Sequence, residues 1–428
     1  MPHEVQSQIS QYTFQSNIFQ PARTNAIYYP NWRARDGQTP ATLNFNCINF
    51  VYYAFANVNP DGTVTLSDED VDLRMSVDGT SGCINSLMRL KKQYYYLKVI
   101  LSIGGANGSQ NFSSVASNAA YRDNFARTAR GLVEGLGFDG IDIDWESPKD
   151  PQEGNNFIAL LAAIRTQLPP FRYYVTAALP AGEWALQNID IYKSQSYLDL
   201  INLMAYDFNG SWTTRSGYQS QLFSSKPDEN SGDKAVHYLL SKGFPVSKIL
   251  LGIPVYGRSF LGAAGPGQTY TGLGGNDGAF AYNSLPRPNA SENVDRRLVS
   301  AYCVGGDGGF ISYDNPDTVK LKANYCNAFG LAVRNLLVSN SHQPRYFRPV
   351  NYDSCLDNPY NALVVYVQNK YGQSNSTRNI FDEINYEARC IEADKLMKLI
   401  HDIYFTDSLS RAFFTGKQPK MQVRDREA

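Results

Sequence analysis

Seven short, β-branched apolar runs recur before residue 256, each set apart from the next by a longer stretch, and this alternation constrains the fold more than any other feature. The runs are Asn25 to Tyr29, Ile48 to Phe55, Leu97 to Ile103, Phe138 to Trp145, Tyr173 to Leu179, Leu200 to Ala205 and Ile249 to Val255. Between them, Ala120 to Leu136, Asn156 to Gln167 and Asp233 to Lys242 show helical periodicity or helix-favouring composition. Strand and helix in alternation read as parallel βα units. Repeated over roughly 300 residues, they favour an α/β fold of the closed (β/α)8 TIM-barrel type over an open doubly wound sheet. An open sheet usually carries a glycine-rich phosphate loop after its first strand, and here the chain reads Pro30-Asn31-Trp32-Arg33.

Gly257 to Ser312 is rich in Gly, Pro, Asn and Tyr and is too long for an ordinary βα connection. It reads as a small subdomain inserted after the seventh strand, on the C-terminal face of the barrel. The organisation expected is therefore an N-terminal tail (1–24), a barrel (25–330) with its insertion at about 257–312, and a C-terminal segment (331–428). In that last segment the strand and helix rhythm weakens, although Ile384 to Tyr404 has a helical pattern.

Charged residues make up 18 % of the chain and the formal net charge is −1, so there is no basic field of the kind a nucleic acid requires. No apolar run approaches the roughly 18 residues of a membrane-spanning helix. Met1 to Gln20 is polar and lacks the basic start and apolar stretch of a secretory signal, so either the protein stays inside the cell or its true start is missing. The six cysteines (47, 83, 303, 326, 355 and 390) include no C-x-x-C pair, so a zinc site is not supported and no metal or cofactor is expected. N-x-S/T triplets begin at Asn107, Asn111, Asn209, Asn289 and Asn375 and leave the compartment open.

The segment richest in chemistry is Phe138-Asp139-Gly140-Ile141-Asp142-Ile143-Asp144-Trp145-Glu146. Side chains alternate along a strand, so Asp142, Asp144 and Glu146 share one face and Ile141, Ile143 and Trp145 the other. The acidic face points into the barrel, and Glu146 stands at the strand's C-terminal end, where barrel enzymes place their chemistry. Asp139 has the opposite parity and reads as structural. Carboxylates at i and i+2 lie about 6 to 7 Å apart. Burying three of them as anions costs several kcal/mol, so at least one stays protonated near neutral pH and serves as a general acid of the kind glycosidic cleavage requires. The competing readings are an acidic strand end paired with Arg or Lys, or a Mg or Ca site built from carboxylates.

The same residues resemble the D-x-x-D-x-D-x-E signature of family 18 chitinases. Leu101-Ser102-Ile103-Gly104-Gly105 is similar to the family's S-x-G-G segment on the third strand, and Met204-Ala205-Tyr206-Asp207-Phe208 to its M-x-Y-D segment on the sixth. Tyr28-Tyr29-Pro30-Asn31-Trp32, Tyr53-Ala54-Phe55-Ala56 and Gly252-Ile253-Pro254-Val255-Tyr256-Gly257-Arg258 resemble its first, second and seventh strands, in the right order. The likeness runs from about Asn25 to about Gly330. It includes an insertion like the family's α+β subdomain, with Ile311-Ser312-Tyr313-Asp314 resembling the segment that returns to the barrel.

The resemblance implies retaining, substrate-assisted hydrolysis of β-1,4-linked N-acetylglucosamine polymers, with chitin or chitooligosaccharides as the partner. Glu146 would protonate the glycosidic oxygen while the substrate's own acetamido oxygen attacks the anomeric carbon. Asp144 would orient the acetamido N–H, Asp142 would share a proton with Asp144, and Tyr206 would donate to the acetamido oxygen. Tyr28, Phe55, Gly105, Trp145, Met204, Asp207, Tyr256 and Arg258 are the implied substrate-binding set. Family members also suggest secretion. The alternatives carried are a chitinase-like lectin that binds without turnover and an endo-β-N-acetylglucosaminidase. One departure stands out: the eighth-strand G-G-x-M-x-W-E, whose Trp floors the sugar site, is replaced by Phe329-Gly330-Leu331-Ala332-Val333-Arg334-Asn335, and no Trp follows Trp212.

Overall fold

Eight parallel strands close on themselves in the computed structural model, which describes residues 24–338 and their side chains through residue 332. In chain order the barrel strands are Thr24–Pro30, Phe50–Val58, Lys98–Gly104, Gly140–Asp144, Tyr174–Pro180, Leu200–Met204, Ile249–Pro254 and Val333–Val338. Each pairs with the next, and the eighth returns to the first with Ala26 level with Leu336 and Tyr28 with Val338. The first strand pairs with the second in turn, completing the ring. All seven apolar runs become strands. The eighth begins beyond residue 330, where the sequence rhythm fades because Arg334 and Asn335 interrupt what would otherwise read as an apolar run. The C-terminal residues 339–428, with the helical pattern at Ile384 to Tyr404, and residues 1–23 lie outside the described residues.

Local signals set the helices. Ala119–Leu136 starts where the Asn118 side chain accepts from the N–H groups of Ala120 and Tyr121, and it stops at Gly137 with φ of 83°. Its buried stripe, Phe125, Ala126, Ala129 and Val133, has helical spacing and faces the barrel. Pro151–Gln167 begins five residues before the apolar pattern at Asn156 because Asp150 caps Glu153 N–H and Pro151 takes the first turn, where a missing N–H costs nothing. No helix among the described residues is long and apolar enough to cross a membrane.

Inward-facing residues fill the barrel rather than lining a pore. Ala26, Tyr28, Phe50, Tyr52, Ala54, Ile100, Ala178, Leu200 and Leu250 form one buried cluster, and Phe50 meets Tyr174 edge-on at 5.2 Å. Burial of a side chain such as Phe50 stabilises the fold by about 1.5–3 kcal/mol. Above this apolar floor the register brings polar residues level with one another, Ser102 beside Asp142 and Asp142 beside Thr176, while Asn202 stands beside Ala178 on the next strand.

The insertion is a five-stranded antiparallel sheet spanning Tyr256 to Tyr313, and its helical content among the described residues is the 3-10 turn Tyr282–Ser284. It has its own core of Phe280, Ala301, Cys303, Ile311 and Tyr313. Where it rejoins the barrel, a buried pair pins it: Lys322 Nζ lies 2.5 Å from Asp314 Oδ2, and Ser220 and Thr318 hydroxyls donate to the same carboxylate. Burial lowers the Lys322 pKa, and the Asp314 charge opposes that shift.

Candidate active site

The fourth strand presents its acids at three depths. Asp142, fully buried, is saturated with donors: Tyr28 Oη (2.8 Å) and Ser102 Oγ (2.7 Å) donate to Oδ2, and Thr176 Oγ1 (2.6 Å) and Asn202 Nδ2 (3.1 Å) donate to Oδ1. Burial raises its pKa and the four donors oppose the rise. They also leave its lone pairs occupied, which disfavours the divalent-metal reading of this acid. Among the described residues no group of three His, Cys, Asp or Glu side chains is gathered for a metal ion.

Asp144, one pleat up and 4 % exposed, has a buried Oδ1 that finds no hydrogen-bond partner among the described residues. Burial holds its pKa well above the carboxylate range, and the charges of Glu146 and Asp142 push it further. The family resemblance implies proton sharing between Asp142 and Asp144; in this structure both oxygens of Asp142 accept from the neighbouring strands, and the Asp142 charge raises the Asp144 pKa.

Glu146 lies two residues past the strand end at Asp144 and is open to solvent. Water reaches the carboxyl while its anion remains poorly solvated. Loss of solvation, then the charge of Asp207, pushes its pKa up to about 6. A carboxyl of this kind is part protonated near neutrality, as a general acid must be. Asp139, at the opposite end of the strand, pairs with Lys91 (2.7 Å) and accepts from Val99 N–H (2.8 Å), a structural role in keeping with its parity.

Tyr206 lies edge-on to Tyr256 at 6.3 Å and within range of the charges of Asp144, Glu146 and Asp207. Burial, with the nearby charges of Asp144, Glu146 and Asp207, keeps its hydroxyl protonated as a donor. Gly252 makes room for it, since a Cβ there would meet the Tyr206 ring at 2.8 Å. Asp207 takes both arms of Arg258 at 2.8 Å each, and that guanidinium lies 5.0 Å over the Trp212 ring. The insertion thereby reaches into the site through Arg258.

The remaining expected contacts divide. Phe55, half-buried, packs against Gly105, where a Cβ would come within 2.8 Å of its ring, and faces Trp32 at 6.3 Å. Met204, half-buried, packs on the interior cluster. Three assignments need correction. Trp145 cannot offer its ring to a sugar: it is buried in the helix layer, stacked on Phe112 at 5.6 Å and edge-on to Phe157, as its outward parity requires. Tyr28, 5 % exposed, sits beneath the site as a donor to Asp142 rather than lining it. Tyr256, 1 % exposed, backs Tyr206 from below.

Sequence reasoning assigned no role to Ser102, Thr176 or Asn202. The available signal was a polar residue at inward parity inside an apolar run, as in Val175-Thr176-Ala177 and Ile201-Asn202-Leu203. It also passed over Trp32, Trp184 and Trp212 as a group. These indoles follow the first, fifth and sixth strands and are 38 %, 62 % and 56 % exposed, flat apolar faces around the barrel mouth. The eighth-strand stretch where the resemblance implies a further indole reads Phe329 to Asn335 and holds no Trp, and its side chains beyond Ala332 lie outside the described residues.

A closed barrel with a tuned acid at its fourth strand end, a recessed carboxyl beside it and aromatic rings around the mouth defines a glycosidase of the (β/α)8 class. The chain belongs to the glycosyl hydrolases family 18, whose sequence pattern matches residues 24–332. It is 36 % identical over 334 residues to Chitinase 1 of Aphanocladium album, covering 72 % of this chain and 79 % of that one. Among solved structures it resembles Chitinase ChiA74 from Bacillus thuringiensis (25 % identity, TM-score 0.66), with 74 % of this chain covering 65 % of that one. It also resembles a mutant GH18 chitinase from Cycas revoluta in complex with (GlcNAc)4 (26 % identity, TM-score 0.64), with coverages of 73 % and 94 %.

Proposed function

We propose that the chain is a chitinase that hydrolyses β-1,4-linked N-acetylglucosamine polymers with retention, the substrate's acetamido group acting as nucleophile. The observation that carries this is Glu146, a solvent-accessible carboxyl raised to about 6, standing over a deeper carboxyl whose Oδ1 is unpartnered. Glu146 protonates the glycosidic oxygen as the bond to the anomeric carbon breaks. The acetamido oxygen closes on that carbon to give an oxazolinium ion, which water reopens from the same face as the departing sugar, with Glu146 taking back a proton.

The surrounding residues have work that fits their positions. Asp144 Oδ1 is a free acceptor for the acetamido N–H, and the Tyr206 hydroxyl is a donor for the acetamido oxygen. Asp142 anchors the floor, and Asp207 with Arg258 sets the electrostatics beside Glu146. Trp32, Trp184 and Trp212 offer stacking faces to neighbouring sugars, whose axial C–H groups suit an indole.

The decisive measurement is product analysis after incubation with N-acetylglucosamine oligomers and with their fully deacetylated counterparts. Acetylated oligomers are cleaved with the β-anomer formed first, and deacetylated ones are not. Comparable rates on both would reject substrate assistance and point to an enzymic nucleophile among the three acids. Binding without any cleavage would make the protein a lectin. Cleavage confined to N-glycan cores would make it an endo-β-N-acetylglucosaminidase.

A further inference from the structure

We propose that Ser109 is a positioning residue for the acid, holding the main chain of Glu146 in register with the barrel after the strand has ended. The inference rests on the reading of Glu146 as the proton donor. Strand pairing in the fourth strand stops at Asp144, so the ladder no longer supports residues 145 and 146. Glu146 N–H is instead taken by Ser109 Oγ at 3.0 Å. The hydroxyl's own proton points back to the carbonyls of Gly105 (2.9 Å) and Asp144 (3.2 Å). Gly105 N–H donates to the same Asp144 carbonyl at 2.9 Å. The loop from 104 to 109 thus grips both peptide groups that lead to the acid.

The backbone of this loop is shaped for that approach. Gly104 has φ of 113°, and a Cβ on it would fall 2.3 Å from the Asp144 carbonyl oxygen. A Cβ on Gly108 would fall 2.2 Å from the Gly104 carbonyl oxygen. Glycine at both positions lets the loop lie directly across the strand end, which a side chain would prevent. On the far side of Glu146, Asn188 Nδ2 donates to the Pro148 carbonyl at 3.0 Å, and Trp145 is locked between Phe112 and Phe157. The chain is fixed before and after the acid, and Ser109 fixes it at the acid. No other hydrogen bond to the Glu146 backbone is made by the described residues.

Removing the acceptor frees the carboxyl to turn outward. It then sits further from the glycosidic oxygen and is better solvated, which lowers its pKa. Because misplacement of a catalytic group by about 1 Å costs up to about 10²-fold, Ser109→Ala is expected to lower kcat on N-acetylglucosamine oligomers by about tenfold. KM should stay within about twofold, since no contact with the sugar is removed. The basic limb of the kcat profile should move to lower pH. Ser109→Thr, which restores the hydroxyl, should recover most of the lost turnover.

A Ser109→Ala variant with kcat and basic limb equal to the parent would overturn the proposal, as would loss of activity through KM alone. A Ser109→Thr variant as impaired as Ser109→Ala would do the same. Should Ser109→Ala fail to fold, Ser109→Cys, of similar shape and weak as an acceptor, carries the same comparison. Glu146→Gln assayed in parallel separates the two claims: full turnover in that variant removes the acid assignment itself, whereas an inactive Glu146→Gln beside an unimpaired Ser109→Ala removes the role of Ser109 alone.

Discussion

Asp142 and Glu146 are carboxyls four residues apart on one run of chain, and the protein treats them in opposite ways. Asp142 is enclosed and meets donors from the first, third, fifth and sixth strands. Glu146 is past the strand end, open to water, and raised to about 6 by loss of solvation and by Asp207. Burial alone raises both, but donors offset it at Asp142 and a like charge adds to it at Glu146. The contrast teaches that the neighbours a barrel brings to each level, rather than the residue type, divide a row of acids into anchor and catalyst.

The strongest way to break the contrast is Glu146→Gln, which keeps shape and removes the proton. Turnover of N-acetylglucosamine oligomers should fall by about 10² to 10⁴ or more while oligomer binding persists. A variant turning over within a few-fold of the parent would end the division of roles. Binding measured by calorimetry and rates measured by chromatography together make the check.

A smaller effect should follow from Asp207→Asn. Glu146 must be protonated to act, so activity declines as pH rises through the Glu146 pKa, about 6 in the free protein. The Asp207 charge raises that pKa, so its removal lowers it, and the basic limb of kcat/KM should shift toward lower pH. A limb that stays in place, or moves upward, would show that Asp207 does not tune the acid.

The smallest expected effect is at the anchor. Thr176→Val removes the hydroxyl that donates to Asp142 Oδ1 and leaves that oxygen with Asn202 alone. Loss of a hydrogen bond to a buried charged acceptor costs about 1–3 kcal/mol, so the midpoint of urea unfolding should fall. Turnover should change far less than in Glu146→Gln. A large loss of turnover with unchanged stability would mean that the floor takes part in the chemistry directly.

Much of this was legible before the structure. Seven apolar runs announced seven strands, because a barrel strand covered by helices and a filled interior has almost no wet side. Parity along residues 138–146 placed Asp142 and Asp144 inward and gave Asp139 a structural reading, which its pairing with Lys91 fits. The same parity placed Trp145 outward, so its inclusion among sugar-binding residues followed the motif against the geometry. The eighth strand was hidden by Arg334 and Asn335, which break the hydrophobic pattern that revealed the others.

What the amino-acid order determined by itself is therefore the local and periodic part: element types, the inward face of each strand and the acids at alternate positions. These depend on neighbours within a few residues, which a linear reading contains. Closure of the ring, the four donors around Asp142, the Arg258 clasp on Asp207 and the Ser109 hydroxyl under Glu146 were decided only by tertiary structure. Each joins groups 34 to 114 residues apart or brings strands level by register. An ionisable group's pKa is set by whatever charges and donors lie within a few ångströms, and those neighbours exist only once the barrel has closed.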